Sequence, residues 1–259
     1  MSTKTIGIKR YRKSFWRVPG WFPLLDFELF TILNDLQTNL GCKGDILEIG
    51  TYKGKSGILL TLFAQEDEKV RLLDLYSKIE FQKEIDSAHY RDLTAEKTLK
   101  FLKKYGNEHE LVEGNSVDIP KLIPSTKNRI IHIDGSHQYS TVQEDLKNAL
   151  ELLSSLGVIV LDDYANFNYP GVARAFWDFY GSEEVEIIWA TQTRVYFTRK
   201  NDVVSYQKKL TRKGFTVSVV TLEADRKNFD LVTLQGKMRL FQKIQSLLSL
   251  AVLGLFSIL

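Results

Sequence analysis

Carboxylates and a histidine cluster in the second half of the chain, in positions where they could do chemistry. Asp134 and His137 share the stretch Ile-His-Ile-Asp-Gly-Ser-His, and Asp162 and Asp163 follow an apolar run. Each acid ends an expected strand, and neighbouring strand ends would bring the three carboxylates close enough to repel one another. A divalent cation such as Mg²⁺ would offset that charge, with Asp134, Asp162 and Asp163 as its ligands. The alternative is that these acids cap the turn and the helix that follow.

His137 is the histidine best placed to act as a general base. It follows Asp134 in the turn between a strand and a helix, where a neutral imidazole could take a proton near neutral pH. His132 lies inside the strand and is expected in the core, whereas His89 and His109 occupy charged stretches and are expected at the surface. A second interpretation of His137 stays open, in which it bonds backbone at the helix start.

An acid and two glycines in the first half of the chain predict a nucleotide-type ligand. Glu48, Gly50 and Gly54 stand where a buried strand turns sharply into a helix, and glycines there would let backbone approach a ligand closely. A dinucleotide site would show Gly-x-Gly-x-x-Gly, whereas this chain has Glu-x-Gly-x-x-x-Gly. An ordinary strand-to-helix turn is the alternative.

The elements that position these residues follow from hydrophobic periodicity. Short apolar runs alternate with amphipathic stretches from about residue 45 to 180, which predicts a parallel sheet. The predicted strands are residues 45–50, 69–75, 111–114, 129–134 and 158–162. A terminal β-hairpin is predicted from residues 185–190 and 194–198. A helix is predicted at residues 56–63, and another around Val142, Leu146 and Leu153, ended by Gly157.

Length and composition fit one main domain with extensions. The chain has 259 residues, 44% of them hydrophobic and 26% charged, which is ordinary for a soluble enzyme. The single cysteine, Cys42, excludes an internal disulfide framework and suits a reducing compartment. We expect no signal peptide, because the charged N-terminus lacks an apolar stretch of the required length. A cytoplasmic location is therefore expected.

Several motifs together resemble one family of enzymes. The motifs are Glu48 to Gly54, the segment Asp-Gly-Ser-His-x-Tyr from Asp134, a helix containing Asp145, Gly-Val-Ile-Val-Leu-Asp-Asp-Tyr from Gly157, and Pro-Gly-Val-Ala-Arg-Ala from Pro170. Over about residues 18 to 200 the chain resembles class I S-adenosylmethionine-dependent methyltransferases, in particular small-molecule O-methyltransferases related to the macrocin and catechol enzymes. The resemblance implies an α/β fold of Rossmann-like type, a mostly parallel seven-stranded sheet with a terminal antiparallel hairpin and helices on both faces.

The resemblance also implies roles for individual residues. S-adenosylmethionine would be the cofactor, and Asp74 would hold its ribose hydroxyls. The other residues implied in cofactor binding are Glu48, Gly50, Thr51, Tyr52, Gly54, Ser56, Asn115, Ser116 and Asp134. Metal-dependent relatives bind Mg²⁺ through carboxylates that match Asp134, Asp162 and Asp163. This chain has Asp-Asp where the catechol-type pattern has Asp-Asn, which leaves metal dependence open.

Two functions from different classes follow. The first is transfer of a methyl group to a hydroxyl of a small molecule or sugar or glycan precursor, with the hydroxyl activated by His137 beside Asp134 or by a metal. Acceptor choice would come from Trp21, Phe22 and residues 164–169, and the macrocin-like motifs favour a sugar. The second is a non-catalytic methyltransferase-like module that binds a membrane or a partner through its basic ends.

The ends of the chain carry the excess positive charge. Residues 1–20 contain six Lys or Arg and no acid, whereas residues 21–200 have a net charge of −8. The run at residues 9–13 would suit phosphates or lipid headgroups, or be a solvated tail; nucleic acid is not the expected partner, because no recognised nucleic-acid module accompanies the run. Residues 244–259 are almost uncharged and too short to span a bilayer as a helix. They would lie at the inner membrane surface, or dock on their own domain or on a second subunit of a homo-oligomer.

This pattern divides the chain into three parts. Residues 1–40 would form a basic N-terminal segment and a capping helix. Residues 41–200 would form the domain that binds S-adenosylmethionine. Residues 201–259 would be a C-terminal extension that ends in the apolar helix.

Overall fold

The computed structural model describes the backbone of residues 3–76, 95–191, 193–212, 216–224 and 227–235, and side chains among residues 5–76, 95–191 and 193–207. The helices are α1 (Thr3–Ser14), α2 (Leu24–Leu40), α3 (Lys55–Phe63), α4 (Ala95–Tyr105), α5 (Ile119–Leu122), α6 (Tyr139–Leu152), α7 (Pro170–Ser182) and α8 (Val203–Arg212). The strands are β1 (Asp45–Ile49), β2 (Val70–Asp74), β3 (Glu110–Glu113), β4 (Asn128–Ile133), β5 (Leu153–Leu161), β6 (Val185–Ala190), β7 (Val195–Arg199), β8 (Thr216–Ala224) and β9 (Lys227–Gln235). Short 3-10 helices occupy Phe15–Arg17 and Ser116–Asp118.

The main sheet has seven strands in the order β3-β2-β1-β4-β5-β7-β6. Strands β1 to β5 pair in parallel, β7 joins β5 antiparallel, and β6 pairs antiparallel with β7. The predicted fold class and its terminal hairpin are therefore confirmed. The strand order reverses between β1 and β4, and open α/β sheets bind ligands beyond the carboxyl ends of the strands at such a point.

Helices cover both faces of this sheet. Side chains alternate along a strand, so Ile46 faces a core with residues of α1, α2 and α3, whereas Leu47 faces a core with residues of α6 and α7. Both cores are dense in branched aliphatic and aromatic side chains. The sheet is therefore held from both sides, and the carboxyl ends of its strands are fixed relative to one another.

The junction between α6 and β5 differs from the prediction. The helix ends at Leu152 and β5 begins at Leu153, so Gly157 lies within the strand and does not end the helix. A Cβ at Gly157 would lie 2.8 Å from Leu153 Cδ1 and 3.0 Å from the Asn128 carbonyl oxygen. The glycine is needed because the chain folds closely on itself at the start of β5.

The N-terminal segment is folded onto the domain. Tyr11 is fully buried, donates a hydrogen bond to the Lys55 carbonyl oxygen at 2.6 Å, and packs against the rings of Phe15 and Phe27. The interpretation of residues 9–13 as a solvated tail is therefore wrong for Tyr11, although Lys9, Arg10, Arg12 and Lys13 are exposed. Tyr11, the aromatic residue within the basic run, thus anchors α1 to the domain.

The C-terminal extension contains a feature that was not predicted. Strands β8 and β9 pair antiparallel in a separate two-stranded sheet. The predicted apolar helix at residues 244–259 lies outside the described residues. Within the described ranges, no helix has both the length and the apolar character needed to cross a bilayer.

Candidate active site

Glycines at positive φ shape the turn between β1 and α3. Gly50 has a φ of 87°, and a Cβ there would lie 1.9 Å from the Asp134 carbonyl oxygen. Gly54 has a φ of 79° and caps the start of α3. The sequence predicted that both glycines admit a ligand to the backbone. The close approach that Gly50 permits is instead to the chain itself, because the turn after β4 lies directly against it.

Asp74 joins the turns that follow β1 and β2. Its Oδ2 accepts a hydrogen bond from the Tyr52 backbone N–H at 2.6 Å, and its Oδ1 accepts one from the Tyr76 N–H at 3.3 Å. The Gly114 N–H donates to the Asp74 carbonyl oxygen at 3.0 Å. Burial raises the pKa of Asp74, and these backbone hydrogen bonds act against the rise. The predicted ribose-binding acid thus lies at the carboxyl edge, beside the glycine turn.

The predicted adenine-lining segment lies one strand further along the same edge. Asn115 accepts a hydrogen bond from the Val117 N–H at 3.3 Å, and Ser116 begins the short 3-10 helix. Both side chains are partly exposed. Because β3 pairs with β2, this segment and Asp74 lie at the same carboxyl edge of the sheet.

Behind that segment, α6 buries the carboxyl group of Asp145. Burial raises the pKa of Asp145 to about 7. Neither of its oxygens makes a hydrogen bond of good geometry within the described part of the chain, so the nearby Ser116 hydroxyl opposes the effect of burial only weakly. Asp145 is therefore a buried residue of α6 that does not reach the surface.

Glu48 is fully buried and does not reach the edge of the sheet. It points into the core on the α2 side, where its Oε1 lies 2.9 Å from Nδ1 of His132 on the neighbouring strand. The His132 ring packs edge-on against Phe30, with ring centroids 5.1 Å apart. His132 is thus a core residue, as predicted. The cofactor-binding role of Glu48 stays a prediction.

The remaining residues of the first motif divide by exposure. Thr51 and Ser56 are buried, whereas Tyr52 is partly exposed. The Tyr52 ring stacks on Trp21, whose side chain is 60% exposed, with centroids 5.1 Å apart. Phe22, also predicted to shape acceptor choice, is buried. Trp21 and Tyr52 therefore form the aromatic surface beside the turn, and Phe22 does not contribute to it.

The three predicted carboxylates at the ends of β4 and β5 come together. One oxygen from each of Asp134, Asp162 and Asp163 lies within 4.8 Å of the other two. Burial, followed by the charge of Asp162, raises the pKa of Asp134 well above its ordinary value. This convergence follows from the parallel pairing of β4 with β5.

Arg194 is a member of this cluster that the sequence analysis missed. Its side chain is 1% exposed and donates hydrogen bonds to Asp26 of α2 and to Asp162. The same nitrogen that bonds Asp162 lies 3.8 Å from Asp134 Oδ2. The sequence placed Arg194 at the start of a strand and gave it no role. The only signal was a cation directly before the apolar residues of β7.

Both oxygens of Asp162 and of Asp163 already have partners, which does not suit a Mg²⁺ site. Asp162 Oδ2 accepts from Arg194 and Asp162 Oδ1 accepts from the Asp163 N–H at 2.8 Å. Asp163 Oδ1 accepts from Asn166 at 2.8 Å, and Asp163 Oδ2 lies 3.1 Å from His137 Nε2. The three predicted metal ligands are brought together, but a cation bound by Asp162 and Asp163 would have to displace these donors.

His137 forms a pair with Asp163 at the same edge. Its ring is about one-third exposed and stacks on Tyr169, with centroids 3.7 Å apart. Burial opposes ionisation of Asp163, but the hydrogen bonds from His137 and Asn166 outweigh it and lower the pKa of that carboxyl group. Asp163 also has a φ of 57°, a conformation that costs free energy in a residue other than glycine. A histidine oriented by an ionised carboxylate is suited to proton transfer.

Of the other histidines, His109 directly precedes β3 and is partly exposed. Its Nδ1 lies 2.7 Å from the Asn107 carbonyl oxygen. His89 lies outside the described residues. His137 is thus the histidine that the described structure places among the acids.

Comparison with known proteins identifies the domain. Residues 47–164 match the model of a family described as a methyltransferase domain. The search of curated proteins found no match. Among solved structures, the O-methyltransferase NovP is similar with a TM-score of 0.59 and 17% identity, over 76% of this chain and 97% of that one. A protein from Corynebacterium glutamicum is similar with a TM-score of 0.50 and 12% identity, over 77% of this chain and 92% of that one.

Identities at this level show a shared fold, and the family match covers the segment that carries the glycine turn, Asp74 and the acids of β4 and β5. The seven-stranded, mostly parallel sheet agrees with the fold of these neighbours. Residues 47–164 therefore match the methyltransferase-domain family, and the domain has the fold of class I S-adenosylmethionine-dependent methyltransferases.

Proposed function

We propose that the protein transfers a methyl group from S-adenosylmethionine to a hydroxyl group of a small molecule or sugar precursor, with His137 as the general base. The observation that carries this proposal is the His137–Asp163 pair, which lies among the acids that border the glycine turn. The family match favours an enzyme over a non-catalytic binding module.

The acids at this edge suit a cationic cofactor. S-adenosylmethionine carries a sulfonium and an amino group, and bound there it supplies an electrophilic methyl carbon. Asp74 would hold the ribose hydroxyls, Asn115 and Ser116 would line the adenine, and Asp134 would face the positively charged end. Backbone hydrogen bonds fix the Asp74 carboxylate before any ligand arrives, which lowers the entropic cost of binding.

The neighbour of His137 defines the tautomer that a base requires. Asp163 is held ionised, and in a neutral imidazole Nε2–H would donate to it and Nδ1 would carry the lone pair. With S-adenosylmethionine bound as the methyl donor, Nδ1 of His137 would take the proton of the acceptor hydroxyl. The protein contributes mainly by aligning oxygen, carbon and sulfur and by accepting this proton.

Exposed aromatic side chains beside the site suit a sugar or a planar ring. Phe167 is almost fully exposed, and Trp21 and Tyr169 are also exposed. Phe167 and its neighbours in the segment 164–167 line a shallow depression of about 360 Å³, together with Pro170, Ala173 and Trp177. We favour a sugar acceptor, because the macrocin-like motifs come from enzymes of that type. The single cysteine, free and buried, supports a cytoplasmic location.

The test is methyl transfer from isotopically labelled S-adenosylmethionine to a panel of nucleotide sugars and phenols. We expect His137→Gln to lose at least about 100-fold in kcat, as removal of a general base does, while it binds S-adenosylhomocysteine as the wild type does. His109→Gln is the matched control and should keep full activity. Cofactor binding without transfer to any acceptor would contradict the proposal and favour the non-catalytic module.

A further inference from the structure

The cluster of acids at the ends of β4 and β5 contains its own cation. Arg194 directly precedes β7, and its two terminal nitrogens bond Asp162, which follows β5, and Asp26 of α2. One of these nitrogens also donates to the Trp21 carbonyl oxygen at 3.3 Å. The guanidinium group therefore ties three parts of the chain together at the point where a metal ion was expected.

The charges of the cluster depend on this side chain. Asp26 and Asp162 are buried and Asp134 lies 3.8 Å from the guanidinium group. Burial alone would lower the pKa of Arg194, but the charges of Asp162, Asp26 and Asp134 outweigh it and keep the pKa raised. An arginine side chain stays charged at all physiological pH values and offers a planar set of donors, so it is suited to a fixed site.

A divalent cation and this arrangement exclude each other. A metal bound by Asp162 and Asp163 needs oxygens that now accept from Arg194, the Asp163 N–H, Asn166 and His137. Displacement of the guanidinium group would leave it buried without its carboxylate partners, an arrangement that proteins avoid. Capture of Asp163 by a metal would also separate it from His137.

We propose that Arg194 takes the place of a divalent cation in this site, so that it neutralises and positions Asp134 and Asp162 and leaves Asp163 to orient His137. Arg194 is thus a positioning residue, and the protein neither binds nor requires Mg²⁺. That the protein does not bind Mg²⁺ is argued from the contacts alone. That methyl transfer does not require Mg²⁺ rests on the proposed function.

The first test uses the full-length wild type, freed of metal with a chelator and desalted. Mn²⁺ is titrated in the presence of S-adenosylhomocysteine and followed by water-proton relaxation, which needs no turnover. We expect no binding tighter than millimolar, and transfer that is equal with EDTA and with Mg²⁺. One Mn²⁺ per chain with micromolar affinity, lost in Asp163→Asn, would overturn the proposal. If neither metal binding nor transfer is found, the inference about metal stands and the proposed function fails.

The second test removes the guanidinium group. Arg194→Met leaves Asp26, Asp134 and Asp162 without their cation, and Mn²⁺ should then raise its thermal midpoint by several degrees while leaving the wild type unchanged. Arg71→Met is the matched control, because Arg71 is a buried arginine that bonds Asp45 and Glu110 at the other end of the strands. An equal response of both variants, or of neither, would contradict the proposal. Should Arg194→Met fail to fold, the wild-type titration decides.

Discussion

Replacement of Asp145 by asparagine should remove a pH dependence of stability. The folded state raises the pKa of Asp145 from 3.8 to about 7 because it buries the carboxyl group. Between these values the folded chain holds a proton that the unfolded chain has released, so stability falls as pH rises from about 4 to about 7 and the loss is complete above 7. At about 1.36 kcal/mol per pH unit, the full effect is roughly 4 kcal/mol.

The Asp145→Asn variant has no proton to lose, so its stability relative to the wild type should improve with pH. The amide is itself buried without a good partner, which costs about 1–3 kcal/mol at every pH and cancels from a comparison between two pH values. Urea unfolding at pH 5 and pH 8 measures that difference. From pH 5 to pH 8 we expect the free energy of unfolding of Asp145→Asn to rise by about 2–4 kcal/mol relative to that of the wild type.

The control for this experiment is Glu151→Gln, at an exposed acid of the same helix that is not among the groups raising the pKa of Asp145. It should leave the pH dependence of the wild type unchanged. Parallel pH profiles for the wild type and Asp145→Asn would show that the carboxyl group titrates normally, and would refute the reasoning from burial.

Three further substitutions have distinct expected outcomes. Gly50→Ala should lower the free energy of unfolding in urea by more than about 3 kcal/mol, because its Cβ would meet the Asp134 carbonyl oxygen. The control is Gly41→Ala, at a φ of 72°, whose Cβ meets nothing within 4 Å and which should cost only about 1 kcal/mol. Equal costs for the two variants would contradict the close approach at Gly50. Asp163→Asn should lower kcat by about 100-fold or more with cofactor affinity unchanged, because the orienting charge on His137 is lost; an unchanged kcat would remove the pair from the mechanism. Trp21→Ala should raise the KM for the acceptor and leave cofactor affinity unaltered, and a selective loss of cofactor affinity would place Trp21 elsewhere.

Local patterns in the sequence predicted the elements and the edge on which the site lies. Alternating apolar runs and amphipathic stretches gave the parallel strands, and parallel pairing then required Asp134 to meet Asp162 and Asp163. His132 in the core and His137 beside an acid followed from their positions relative to the end of β4. These features depend on neighbours in sequence or on adjacent strands, which periodicity reveals.

Features that depend on distant contacts were not predicted. Arg194 and Asp26 meet across 168 positions of the chain, and no local pattern links them. The sequence analysis singled out Gly50 and Gly157, but it could not show that each lies against the backbone of another segment in the folded chain. Burial of Glu48 likewise follows from the position of α2, which covers that face of β1.

The most direct test of the central claim is calorimetric titration of the protein with S-adenosylmethionine, repeated with Asp74→Asn. Asp178→Asn, at a half-exposed acid on α7, serves as the matched control. We predict micromolar binding to the wild type and to the control, and a loss of at least about 30-fold in Asp74→Asn, which corresponds to about 2 kcal/mol. A folded wild type that does not bind the cofactor, or an Asp74→Asn variant that binds it equally well, would contradict the assignment of the donor site.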